Sequence, residues 1–170
     1  MLAPDQATAL LALLHAQPLA ALGTLHRGEP FVSMVPWALL PDRGLLVTHV
    51  SALATHTRDM LDAPRVSLMV LAAPAAPPQA TARATFQCDA ARCGPDDADH
   101  AAARQAYLAR FPDSAELFGF ADFALFTLAP RHLRFVGGFG RASTVMQPEL
   151  AGLLAGAMPA TVPGAPGGPA

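Results

Sequence analysis

Two short apolar β runs hinged on a hydroxyl-rich helical turn constrain this chain more than any other stretch. They occupy Leu45 to Leu71 and read LLVTHVSALATHTRDMLDAPRVSLMVL. The first run ends in Thr48, His49, Val50 and Ser51. A short helix over about residues 53–61 follows, opened by Ser51, Thr55, His56, Thr57 and Arg58, and a second strand begins after Pro64 and Arg65. Small hydroxyls and a guanidinium fork at a strand-to-helix junction suit a phosphate, because free N–H groups and the positive end of the helix dipole point the same way. An N-capped surface helix between two strands has the same composition, and the segment alone leaves both readings open.

The 170 residues suffice for one domain with a real core, and 52% hydrophobic against 14% charged residues indicates a globular chain. The formal net charge of −2, without any basic run, argues against a nucleic-acid partner. Every cation other than histidine is Arg, which excludes a lysine Schiff base and a lysine-bearing phosphate loop. Cys88 and Cys93 stand as CxxxxC with only His100 nearby as a further ligand, so no metal site is expected. The apolar start lacks a positive n-region and is interrupted by His15 and Gln17, so a cytoplasmic protein without a membrane partner is expected.

Periodicity and turn signals divide the rest. A helix is expected over residues 5–16, capped by Asp5 and stopped by Pro18. Strands follow at 19–25, 31–40 and 45–50, joined by turns at Arg27-Gly28-Glu29-Pro30 and Pro41-Asp42-Arg43-Gly44 as an antiparallel meander. Pro36 implies a bulge, an edge or a bend in the second of these. Further strands are expected at 65–71, 80–89, 123–128 and 131–136, the last two joined by a tight Ala-Pro turn. A helix near 96–110 starts among Asp96, Asp97 and Asp99, and SAELFGF forms a helical turn. The domain spans residues 1–148, and the Pro/Gly/Ala-rich residues 149–170 read as a disordered tail. The class is mainly β with peripheral helices (α+β): a closed or nearly closed antiparallel barrel, with a sandwich as the alternative.

Two blocks carry a resemblance. Ser51-Ala52-Leu53-Ala54-Thr55-His56-Thr57-Arg58-Asp59-Met60 with Pro64-Arg65-Val66-Ser67-Leu68, and FADFALFTLAPRHLRFVGGFGRA at 120–142, resemble the FMN-binding split-barrel flavoproteins related to pyridoxamine phosphate oxidase. The nearer likeness is to their haem-utilisation (HugZ-like) branch, over roughly residues 8–145. The resemblance implies an antiparallel split β-barrel, a homodimer, and FMN in a groove between subunits. It places Ser51, His56, Thr57 and Arg58 on the phosphate, and Thr48, His49 and Val50 beside the ribityl chain and flavin ring. Ser33, Met34 and Val35 would face the isoalloxazine, and Gly138, Phe139, Gly140 and Arg141 would approach the flavin, from the partner subunit in one version.

The chain departs from that branch at Asp59, where Asn is usual, and by ending in a low-complexity stretch where haem-degrading relatives extend. It also lacks the Arg-x-His element of true pyridoxamine phosphate oxidases. The expected activity is FMN-dependent oxidoreduction of a small-molecule substrate or reductant, with no side chain assigned as catalytic. Haem binding and a non-catalytic flavin-binding dimer are the alternatives; for haem the candidate axial ligands are His15, His26, His49, His100 and His132.

Overall fold

The computed structural model describes residues 2–138 and 140–156. Helix α1 (Pro4–Ala16) leads into β1 (Leu19–His26), β2 (Glu29–Pro36), β3 (Ala38–Leu40) and β4 (Leu45–Ser51). Helix α2 (Thr55–Asp62), β5 (Arg65–Leu71), β6 (Arg83–Arg92) and α3 (His100–Arg110) come next. A three-ten segment (Pro112–Gly119), β7 (Phe123–Val136), β8 (Ala142–Met146) and α4 (Glu149–Ala155) complete the chain. The strands form one antiparallel sheet in the order β2-β1-β5-β6-β7-β4-β3, with β8 also on β7. This is a split barrel, mainly β with peripheral helices.

Its closure is visible in the strand order. The edge strands β2 and β3 are separated in the chain by Trp37 alone. The sheet therefore curls until its two edges meet at that residue. The expected single strand over 31–40 is two strands, one at each edge. Pro36 cannot continue a ladder as a donor, and beside it Trp37 is fully buried, its indole N–H donating to the Gln17 carbonyl at 3.0 Å. Arg110 stacks over the Trp37 ring at 4.9 Å and donates to the carbonyls of Leu14, His15 and Gln17 at the end of α1. A cation there complements the helix dipole. The β1–β2 hairpin turns on Arg27 and Gly28 at φ 54° and 87°, the positive angles that a tight primed turn needs.

Three further expectations are corrected. The Ala-Pro step at 129–130 makes no turn: β7 runs unbroken for 14 residues. His132 pairs with Gln87 and Pro130 with Cys88, so a bulge at Arg131 absorbs the proline in a central strand. Asp5 is not a cap, since Ala3 holds that position without a side-chain bond, and Asp5 instead accepts from Arg141 Nη2 at 2.6 Å. The tail does not begin at 149: Glu149–Ala155 is helical, and its Leu150 and Leu154 are fully buried. The spacing of these two leucines is one helical turn, enough to anchor them in the core. The rest of that expected tail, from residue 157 on, lies outside the described residues.

The core has two layers. Inside the barrel, Leu22, Leu46, Leu68, Phe86, Phe126 and Phe135 pack with α1 and α4. Outside it, Ala38, Val47, Cys93 and Leu125 pack under Ala103 and Tyr107 of α3. Strand alternation divides β4 between the layers, with Leu46 and Val50 inward and Val47 outward. Both cysteines are unpaired and buried, Cys88 inside and Cys93 outside.

Candidate functional site

The β4–α2 junction brings together most of the residues singled out for a phosphate. Helix α2 starts at Thr55 after Ala54, which offers no side-chain cap; the Thr57 N–H donates to the Ala54 carbonyl at 3.2 Å, and the Thr55 and His56 N–H groups keep their capacity to hold an anion. Ser33 on β2 and His56 on α2 share a hydrogen bond at 3.0 Å between Oγ and Nδ1. The other ring nitrogen, His56 Nε2, is buried and has no partner. Burial lowers the His56 pKa, against the opposing pull of the Asp59 charge. Arg58 is exposed, and among the described residues its guanidinium reaches only the Leu53 carbonyl, at 3.5 Å.

The two hydroxyls of the motif are partly spent on the fold. Thr57 is buried and donates to the Ser51 carbonyl at 2.7 Å, closing the junction. Ser51 Oγ accepts from the Leu53 N–H at 3.2 Å and donates to Asp122 at 3.3 Å. Asp59, the departure from the family pattern, faces away from Arg58. It accepts from Thr24 Oγ1 at 2.8 Å and lies 2.9 Å from His26 Nδ1. Burial would raise its pKa, but the bonds to His26 and Thr24 and the imidazole charges outweigh that and hold it low. The substitution thus fastens α2 to β1. The sequence reading missed Thr24 and Asp122 and gave His26 only as a possible haem ligand; these residues lie 35, 71 and 33 residues from their partners, and the pairings carry no local signal.

The remaining candidates are dispersed. Thr48 is inside, donating to the Pro36 carbonyl at 2.8 Å, and Val35 and Val50 are in the inner core. Met34 lies on the outer face of β2, 60% exposed. His49 turns outward under α3, stacked on Phe118 at 3.8 Å and 3°. Gly138 and Gly140, at φ 143° and 72°, belong to the β7–β8 hairpin, where Arg141 N–H donates to the Gly138 carbonyl. With Arg83, Arg134 and Arg141 they border a cavity of about 470 Å³. Phe139 lies outside the described residues. Ser51 pairs with Phe123 at one end of β7, and Ala142 with Val136 at the other. Some 13 strand residues separate these ends, about 40 Å along the strand. Within one chain the two halves of the expected site do not meet.

Among the described residues no group of three metal-ligating side chains occurs, and no helix is long and apolar enough to cross a membrane.

Comparison with known proteins agrees with this architecture. The family model of pyridoxamine 5′-phosphate oxidase matches residues 7–137. The chain is 35% identical over 124 residues to the non-canonical heme oxygenase HOZ, chloroplastic, of Arabidopsis thaliana, covering 73% of this chain and 37% of that protein. Among solved structures it is similar to a heme binding protein from Mycobacterium smegmatis, at 30% identity and a TM-score of 0.77, over 92% of this chain and 62% of that one. HutZ, the heme storage protein from Vibrio cholerae, shares the fold at 24% identity and a TM-score of 0.66, over 72% and 88% of the two chains. The chain spans little more than a third of the Arabidopsis protein's length. It belongs to the pyridoxamine 5′-phosphate oxidase family of split-barrel proteins, in the haem-utilisation (HugZ-like) branch of that fold.

Proposed function

We propose that this protein binds FMN as a homodimer and acts as an oxidoreductase on a small molecule. The observation that carries the reading is the buried, unpartnered His56 Nε2 at an uncapped helix start beside the exposed Arg58. A dianionic phosphate needs several donors of this kind, so the residues fit the group. When bound, FMN would supply the redox chemistry. Arg58, Ser51 and the α2 N–H groups would hold its phosphate, and Ser33 would orient the His56 ring.

A second copy would bring the Gly138–Arg141 region to this end. The outer face of β1, β2 and β5 supports that arrangement. Register aligns Met34 with Ala21 and Met69, and Val32 with Gly23. Val32 and Met34 are 66% and 60% exposed, with Leu19 and Leu71 also exposed. Such an apolar face suits a partner. A cytoplasmic setting belongs to the same reading, in keeping with the unpaired thiols.

Haem is the second reading, favoured by the likeness to the Arabidopsis heme oxygenase and the Mycobacterium heme binding protein. An absorption spectrum of the purified protein separates the two, by flavin bands or a Soret band. Arg58→Ala should weaken FMN binding roughly tenfold to a hundredfold, the loss of one charge-assisted bond. Riboflavin, which lacks the phosphate, should bind weakly and respond little. Equal losses for both flavins in a fluorescence titration would remove Arg58 from the phosphate. A monomer by light scattering with flavin bound would remove the shared site.

A further inference from the structure

We propose that the cavity between α3, the three-ten segment and the outer face of β4 and β7 is a second ligand site, built for a small monocarboxylate with an apolar body. It holds about 520 Å³ and shares no lining residue with the Ser33–His56 pair. That volume falls within the range of small-molecule pockets.

Three observations converge there. His49 lines the cavity and is only 5% exposed, yet its Nδ1 has no hydrogen-bond partner. The ring is held in place by stacking on Phe118 and by the edges of Tyr107 and Phe123, at 5.7 and 5.3 Å between centroids. The ring is thereby fixed as part of the cavity wall, with Nδ1 itself sealed away from the cavity.

The charge has one sign. Arg92 and Arg104 line the cavity, and no lining residue is acidic. Among the described residues neither guanidinium is paired with a carboxylate. Arg104 lies over the Phe118 ring at 5.0 Å, on a surface that favours a cation and leaves its donors free. Of the neighbouring acids, Asp97 is held at the cavity wall by the Gly94 N–H at 2.6 Å, and Asp99 pairs with Arg43 at 2.8 Å. Phe123, Ala124 and Leu125 supply an apolar wall. Two guanidinium groups and an apolar wall match a single carboxylate on a hydrophobic frame.

The test uses the full chain and 1-naphthoate as the probe, with its uncharged amide as the control, in calorimetric titrations. Naphthoate should bind saturably and about tenfold more tightly than the amide, the difference a charge-assisted bond makes. Arg92→Gln and Arg104→Gln should each weaken naphthoate roughly tenfold and leave the amide unchanged. In the native chain the His49 imidazole resonances should shift on binding. Arg58→Ala should have no effect. The proposal is overturned by equal affinity for acid and amide, by full binding in both arginine variants, by sensitivity to Arg58→Ala, or by no saturation at millimolar probe.

Discussion

The two sides of β4 are packed to different standards. Inward, Leu46 and Val50 join Trp37, Phe86, Phe126 and Phe135, rings that are fully buried. Outward, Val47 and His49 lie under α3, where one ring nitrogen lacks a partner and a cavity of about 520 Å³ opens beside it. The inner face is closed by strands on every side and by α1 and α4. The outer face is covered by the 11 residues of α3 and a three-ten segment of 8. Side chains enclosed all round reach close packing, whereas a short helix laid on a sheet leaves gaps. Full enclosure makes stability, and partial enclosure leaves room for recognition.

The largest test of that contrast is removal of α4. Ending the chain at Pro148 takes Leu150 and Leu154 out of the inner core, at about 1.5–3 kcal/mol each. We expect about 3–6 kcal/mol lost in urea unfolding. An unchanged midpoint would show that the inner layer is closed without α4. Next comes a pair of matched deletions. Phe126→Ala should cost about 3–5 kcal/mol, as for a ring in a filled core. Phe118→Ala, at a half-buried ring already bordering space, should cost less than about half of that. Equal losses would erase the distinction between the layers.

The smallest effect is a pH dependence confined to the outer face. Burial, aided by Arg104, pushes the His49 pKa down from 6.5 to about 4. A neutral imidazole in the folded state contributes stability that is complete above 6.5, where the unfolded chain is neutral too. It is lost as pH falls from 6.5 toward 4, because the unfolded chain takes up the proton first. The loss is on the order of 2–3 kcal/mol. His49→Phe should remove most of that slope. His56, lowered in the same direction, leaves a residual slope, whereas Asp59 destabilises only below its ordinary range near 3.8. A slope between pH 6.5 and 4 unaltered by His49→Phe would mean that the outer layer is not closed around that ring.

Much of the fold was legible before any coordinates. A turn within Arg27-Gly28-Glu29-Pro30, the strand-helix-strand unit of residues 45–71 and the helix ended before Pro18 follow from local chemistry. The break at Trp37 was not legible, because Phe31 to Leu40 reads as one continuous β run. Nor was the passage of β7 through Pro130, since a bulge forms against a partner strand. The site divides in the same way. Ser33 and His56 were both named and do meet, whereas His49 and Thr48, adjacent in sequence, go to opposite layers. Gly138 and Arg141 lie at the far end of β7 from Ser51, a separation that strand length imposes.

By itself the sequence determined most of the strands, the Arg-only cation set and the family motif, because β propensity, turn chemistry and side-chain identity act over a few residues. Only the tertiary structure decided which strands became edges, that Asp59 serves Thr24 and His26, that α4 completes the core, and that His49 lines a cavity with Arg92 and Arg104. Those outcomes depend on groups tens of residues apart meeting when the sheet closes, and no local propensity encodes that meeting.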